Sequence, residues 1–207
     1  MTNARIIGIV GSPRKGGNTE FLMQHALEII GAEGFDTELI PLAGKNIGLC
    51  KGCDTCKQTG ECSIKDDFQE VFARMLPAEG IILGSPVYNF TITPLMSTFK
   101  VRASRMSHTA KNLKSHDSSS ALEKKVGGAV VVARRAGAVE SIAELNNFFL
   151  SNEMFIVGSR YPNVAYALGR GEVVKDTEGV ANIERFARNF AWLLHTISKL
   201  EYRNSKQ

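Results

Sequence analysis

All four cysteines of the chain lie in one short run, CKGCDTCKQTGEC, at residues 50–62. Cys50, Cys53, Cys56 and Cys62 are separated by two, two and five residues. Four thiols so placed can pair as disulfides, hold a structural zinc, exchange thiol for disulfide, or ligate an iron–sulfur cluster. Structural zinc usually takes two C-x-x-C knuckles set apart by a longer stretch, so that two turns meet around a tetrahedron. No such stretch separates these cysteines. Three thiolates at three-residue intervals match the compact ligation of cubane clusters, and the fourth follows closely enough for one loop to supply every corner. Gly52 and Gly60 are expected to curl the backbone and turn N–H groups toward sulfur. Lys51 and Lys57 are expected to offset the negative charge. A zinc ion on the same four ligands stays open, and a redox C-x-x-C does not need four cysteines.

Three further segments carry groups suited to holding an anionic, planar molecule. GSPRKGGNTE, residues 11–20, joins an apolar run to a helix start and can aim backbone N–H groups and the positive helix end at an anion. It is neither the dinucleotide G-x-G-x-x-G nor a P-loop, which leaves a monophosphate as its natural ligand. An ordinary glycine-rich turn reads equally well from this segment alone. GSPVYNF, residues 84–90, offers a stiffened turn at Pro86, flat faces at Tyr88 and Phe90, and backbone groups at Val87, Tyr88 and Asn89 for a ring edge. Aromatic side chains folded into the core are the alternative there. ARRAGAVES, residues 133–141, brings Arg134, Arg135 and Gly137, either as donors to a pyrimidine-like edge or as a solvated arginine pair.

The elements that must position these segments can be read from hydropathy. Residues 5–10, 35–42, 80–83, 126–132 and 154–157 are short apolar runs, typical of strands buried on both faces of a parallel sheet. Helical stretches alternate with them. The first starts at Asn18 or Thr19, either of which can cap it, and carries Phe21, Leu22, Ala26, Ile29 and Ile30 on its inner face. The last runs over 177–199. Five strands alternating with helices predict an α/β, flavodoxin-like, doubly wound five-stranded parallel sheet of order 2-1-3-4-5, in one domain over 1–207. In that order the loops after strands one, three and four meet at one crevice. The cysteine segment, within the loop 44–63, follows strand two and opens on the same edge. Residues 107–123 form a polar, serine-rich insert, and 161–174 read as irregular.

The chain has 207 residues, 43% hydrophobic and 22% charged, enough apolar content for a full core. The net charge of +4 and pI of about 8.9 suit an anionic cofactor or an acidic protein partner. No dense basic run is interleaved with aromatics, which argues against a nucleic-acid binder. No apolar stretch reaches the roughly 20 residues that span a bilayer, and the N-terminus does not read as a signal peptide. The expectation is a soluble, cytoplasmic protein with no membrane role, in which paired disulfides are disfavoured.

GSPRKGGNT, CKGCDTCKQTGECSIKDD and GSPVYNF together resemble the iron–sulfur flavoproteins, a branch of the flavodoxin-like, NADPH-dependent FMN reductase group. The resemblance covers most of residues 5–160. It implies an FMN-phosphate loop with Ser12, Arg14, Gly17, Asn18 and Thr19, and an isoalloxazine loop with Pro86, Val87, Tyr88, Asn89 and Phe90. ARRAG matches the third loop more loosely. The group usually carries a Lys and then an Asp-Arg pair in the following helix. Lys100 fits, but VRASR lacks the Asp. The function implied is electron transfer through FMN and a [4Fe–4S] cluster on Cys50, Cys53, Cys56 and Cys62, with no side chain required as acid or base. The implied donor is a ferredoxin, the acceptor oxygen, peroxide or another carrier, and the assembly a homodimer or homotetramer. Two alternatives are a NAD(P)H-dependent flavin or quinone reductase with zinc or nothing at the cysteines, and a non-enzymatic flavodoxin-like module with structural zinc. His25, His195, His108 and His116 read as surface or packing residues. Asp66 and Asp67 read as a helix cap and first-turn pair. Trp192, Phe186, Phe190 and Leu193 read as the inner face of the last helix.

Overall fold

In the computed structural model, residues 4–204 are described except 110, 111, 114 and 116, so His116 lies outside the described residues. Strands β1 (Arg5–Val10), β2 (Asp36–Pro41), β3 (Gly80–Pro86), β4 (Val126–Ala133) and β5 (Phe155–Ile156) form a parallel sheet in the order β2-β1-β3-β4-β5. The order expected from the sequence is the one found. A sixth strand, β6 (Val164–Tyr166), pairs in parallel with the end of β4, Val131 opposite Val164 and Ala133 opposite Tyr166. The reading of 161–174 as irregular is therefore corrected. Three residues are too few to show a two-residue period, and β5 itself is reduced to two.

Helices α1 (Asn18–Ala32) and α6 (Thr177–Asn204) cover one face. Helices α3 (Phe68–Met75), α4 (Pro94–Ser107) and α5 (Ala138–Ser151) cover the other. Alternate strand residues divide between the two cores. Ile7, Ile9, Ile81 and Leu83 pack with Phe68, Phe99 and Phe149, while Ile6, Val10, Ile82 and Val130 pack with Leu22, Leu27, Phe186 and Phe190. Each such fully buried aromatic is worth about 1.5–3 kcal/mol relative to an exposed one. Adjacent glycines in β4 admit these rings to the sheet. A Cβ on Gly127 would lie 2.5 Å from Phe149, and one on Gly128 would lie 2.4 Å from Phe186.

Two assignments of the inner helix faces are corrected. Phe21 is 45% exposed and Trp192 is 67% exposed. Each falls one position away from the buried stripe, which in α1 is Leu22, Met23, Ala26, Leu27 and Ile30. Among the described residues, no helix is long and apolar enough to cross a membrane.

Candidate functional site

The first loop leaves β1 at Gly11, whose N–H donates to Gly84 O at 2.7 Å across the β1–β3 switch point. Helix α1 then begins with Gly17 as its N-cap, in extended conformation and without a side-chain cap hydrogen bond. Neither Asn18 nor Thr19 caps the helix. Asn18 instead donates from Nδ2 to Gly169 O at 2.7 Å, and Thr19 is buried. An uncapped N-terminus leaves backbone donors and the positive helix end facing the crevice. The carbonyls of the loop are held by Arg170, which donates from Nε to Gly16 O at 3.0 Å and from Nη2 to Lys15 O at 2.8 Å. Because Gly169 O takes the Asn18 amide group, the buried Asn18 Oδ1 is left without a partner. An acceptor in that place suits a hydroxyl donor on a ligand rather than a phosphate oxygen.

The second loop is a tight turn. Tyr88 N–H donates to Thr91 O at 2.8 Å and Thr91 N–H to Tyr88 O at 3.1 Å. Its two central residues, Asn89 (φ 47°) and Phe90 (φ 68°), are left-handed. Asparagine tolerates that region, but phenylalanine is held there at a cost of about 1–2 kcal/mol. The turn nests against the third loop at Gly137 (φ 84°), where a Cβ would lie 2.5 Å from Phe90 Cα. Of the backbone groups expected to meet a ring edge, two N–H groups are already used, Val87 N–H by Val132 O and Tyr88 N–H by Thr91 O.

The three loops enclose a cavity of about 230 Å³. Of the expected residues, Ser12, Arg14, Gly17, Asn18, Thr19, Pro86, Val87, Tyr88 and Arg134 line it. Asn89, Phe90, Arg135 and Gly137 do not; the last shapes the wall by admitting the turn. Ala167, Leu168 and Arg170 form a wall that sequence reasoning missed. They arrive through β6 from the far end of the chain, and the nearest signal was the Gly-Arg-Gly of 169–171.

The cysteine segment is not one open loop. It contains a short helix α2 (Thr55–Thr59), entered at Asp54 (φ 54°) and left at Gly60 (φ 71°). Gly52 is left-handed as well (φ 64°), so the expected curl is present. The Gly60 N–H, however, closes α2 on Cys56 O at 2.9 Å rather than facing a sulfur. Cys50, Cys53, Cys56 and Cys62 are unpaired thiols, and all four line one small cavity together with Arg102 and Arg105 from α4. Among the described residues, no three His, Cys, Asp or Glu side chains are gathered around a point as a single metal ion requires. The Cys53 thiol is lowered to about 7 by hydrogen bonds from the Ser63 hydroxyl and then the Thr55 hydroxyl and backbone.

The positive charge expected from Lys57 goes elsewhere, to Asp54 at 3.3 Å. Arg102 supplies it instead, donating from Nη2 to Cys62 Sγ at 3.3 Å. Its Nη1 pairs with Asp66 Oδ2 at 2.6 Å, and the two side chains are 1% and 4% exposed. Asp66 is thus no simple cap. Burial alone would raise its carboxyl, but the Arg102 hydrogen bond and the Gly48 and Phe68 amides hold it below the ordinary range.

The matches to known proteins agree with this geometry. The family model for NADPH-dependent FMN reductases matches residues 4–169. An iron–sulfur flavoprotein of Methanocaldococcus jannaschii is 36% identical over 204 residues, covering 94% of this chain and 100% of that protein. One from Methanosarcina thermophila is 29% identical, covering 94% and 97%. The chain belongs to the iron–sulfur flavoprotein family.

Among solved structures, RosB with a bound riboflavin-phosphate intermediate superposes with a TM-score of 0.74 at 16% identity, covering 95% of this chain and 81% of that one. A WrbA-like flavodoxin from Agrobacterium tumefaciens gives 0.64 at 12% identity, covering 94% and 99%. Both show the flavodoxin-like fold. As a member of the iron–sulfur flavoprotein family, the protein is a flavin-dependent oxidoreductase with an electron-transfer role. The residue of this flavoprotein that sequence reasoning missed most plainly is Arg102, which lies in the VRASR stretch read only for its missing Asp.

Proposed function

We propose that the chain is an electron carrier that binds FMN in the crevice above β1 and β3 and a [4Fe–4S] cluster on Cys50, Cys53, Cys56 and Cys62. The observation that carries the reading is the shared cavity: four thiols and two arginines line one space, in a chain that also holds a flavodoxin-like crevice. When bound, the cluster supplies one-electron transfer and the flavin one- or two-electron transfer. The chain's own residues bind and orient. The uncapped start of α1, with Ser12, Arg14 and Gly17, suits the FMN phosphate, and the orphaned Asn18 Oδ1 suits a ribityl hydroxyl. Tyr88, Val87 and Pro86 offer the apolar wall for the ring, and Arg134 a charged rim.

Helix α4 links the two sites within one chain. Thr93, its N-cap, donates to Gly11 O at the base of the phosphate loop, and Arg102 touches Cys62. Arg102 stands nine positions after Thr93, about 14 Å along the helix axis. The basic chain fits an acidic ferredoxin as donor, with oxygen, peroxide or another carrier as acceptor, in a cytoplasmic homodimer or homotetramer. Reduction by such a donor slows as ionic strength rises.

Anaerobic purification followed by iron, sulfide and flavin assay tests the reading. About four irons per chain with one FMN, and absorbance beyond the flavin bands, is the expected result. Zinc or no metal with rapid NAD(P)H oxidation would favour a plain flavin or quinone reductase, the reading that the family description supports. Zinc with no turnover would leave a binding module.

A further inference from the structure

Among the described residues Arg102 is the largest fully buried side chain, and its bonds are directed at the cysteine segment. Nη1 donates to Gly48 O at 3.1 Å and to Asp66 Oδ2 at 2.6 Å. Nη2 donates to Cys62 Sγ and to Ile64 O, both at 3.3 Å. Gly48 stands two residues before the first cysteine and Ile64 two residues after the last. One guanidinium therefore closes the two ends of the segment on each other. Asp66 strengthens the closure by accepting the Gly48 N–H at 2.7 Å. The planar group is fixed further by the Phe68 ring, 4.2 Å from the guanidinium carbon to the ring centre. Its buried Nε has no partner, so a donor remains on a group that lines the cysteine cavity.

We propose that Arg102 is a positioning and tuning residue of the cluster site: it staples residues 48 and 64 together and raises the cluster's reduction potential through its charged N–H bond to Cys62 sulfur. The proposal rests on the cluster reading above. Reduction of a bound cluster would add one negative charge there. Although Asp66 balances its charge, the guanidinium turns an N–H on Cys62 sulfur at 3.3 Å, and that directed donor would stabilise the more negative, reduced form more than the oxidised one. A lysine would keep the charge but not the fork that reaches four acceptors.

The test uses anaerobically purified protein with Arg102→Gln and Arg102→Lys. Cluster potential is read by EPR-monitored titration, iron loss by transfer to a chelator, and flavin content by absorbance. Arg102→Gln is expected to lower the potential and to speed iron loss roughly tenfold to a hundredfold, with one flavin still bound. Arg102→Lys is expected to speed iron loss while holding the potential nearer the wild-type value, which separates charge from staple and serves if the glutamine variant does not fold. An iron-containing wild type with unchanged potential in both variants overturns the inference alone. A wild type without iron overturns the cluster reading and this inference together.

Discussion

Thr93→Val is the sharpest test of how the two sites share one scaffold. Thr93 is 1% exposed, and its hydroxyl serves both neighbours. Oγ1 accepts the Met96 N–H at 3.1 Å, capping α4, and donates to Gly11 O at 2.6 Å, where the first loop leaves β1. Valine keeps the shape and loses both bonds. The lost cap costs about 1 kcal/mol, and the buried carbonyl deprived of its donor about 1–3 kcal/mol. The sum, about 2–4 kcal/mol, corresponds to a melting temperature lower by roughly 4–16 °C for a chain of this size. Thermal unfolding followed by circular dichroism, with and without FMN, gives that number. Fluorescence titration gives the flavin affinity, expected to fall because Gly11 is displaced. Thr93→Ser retains the oxygen and is expected to recover most of the loss. A valine variant that melts with the wild type, or a serine variant as unstable as valine, refutes the reasoning.

Three other perturbations have defined outcomes. Gly137→Ala forces a Cβ against Phe90 backbone in a left-handed residue, so FMN affinity measured by fluorescence is expected to fall at least tenfold, about 1.4 kcal/mol. Arg170→Ala removes an exposed side chain that holds the Lys15 and Gly16 carbonyls; calorimetry should show FMN weakened about tenfold, with riboflavin little affected and stability nearly unchanged. Asp66→Asn leaves Arg102 buried without its counter-charge, a loss of about 3–5 kcal/mol at neutral pH in urea unfolding. The native Asp66 carboxyl is depressed, so its contribution is complete above its ordinary value of 3.8 and is lost as pH falls below it. The Asn variant should therefore show a flatter acid limb in stability against pH.

The amino-acid sequence determined the sheet and the inventory of the site. Continuous apolar runs specify buried parallel strands, and their alternation with helices specifies the order in which they pack. The four cysteines and the first two loops are contiguous in the chain, so their chemistry is legible without a fold. What the tertiary structure decided is everything joined across distance. Arg102 lies 40 residues from Cys62, and Arg170 lies 154 residues from Gly16. Neither stands in a local pattern that marks it, since an arginine in a helix reads as a solvated charge until packing buries it. The same holds for Asn18, which local rules make a cap until Gly169 O draws its amide away. Trp192 turned outward because one helical position is 100°, and hydrophobicity alone does not say where the stripe ends. Hydropathy acts locally along the chain, whereas the hydrogen bonds that aim a site belong to partners that meet once the sheet has closed.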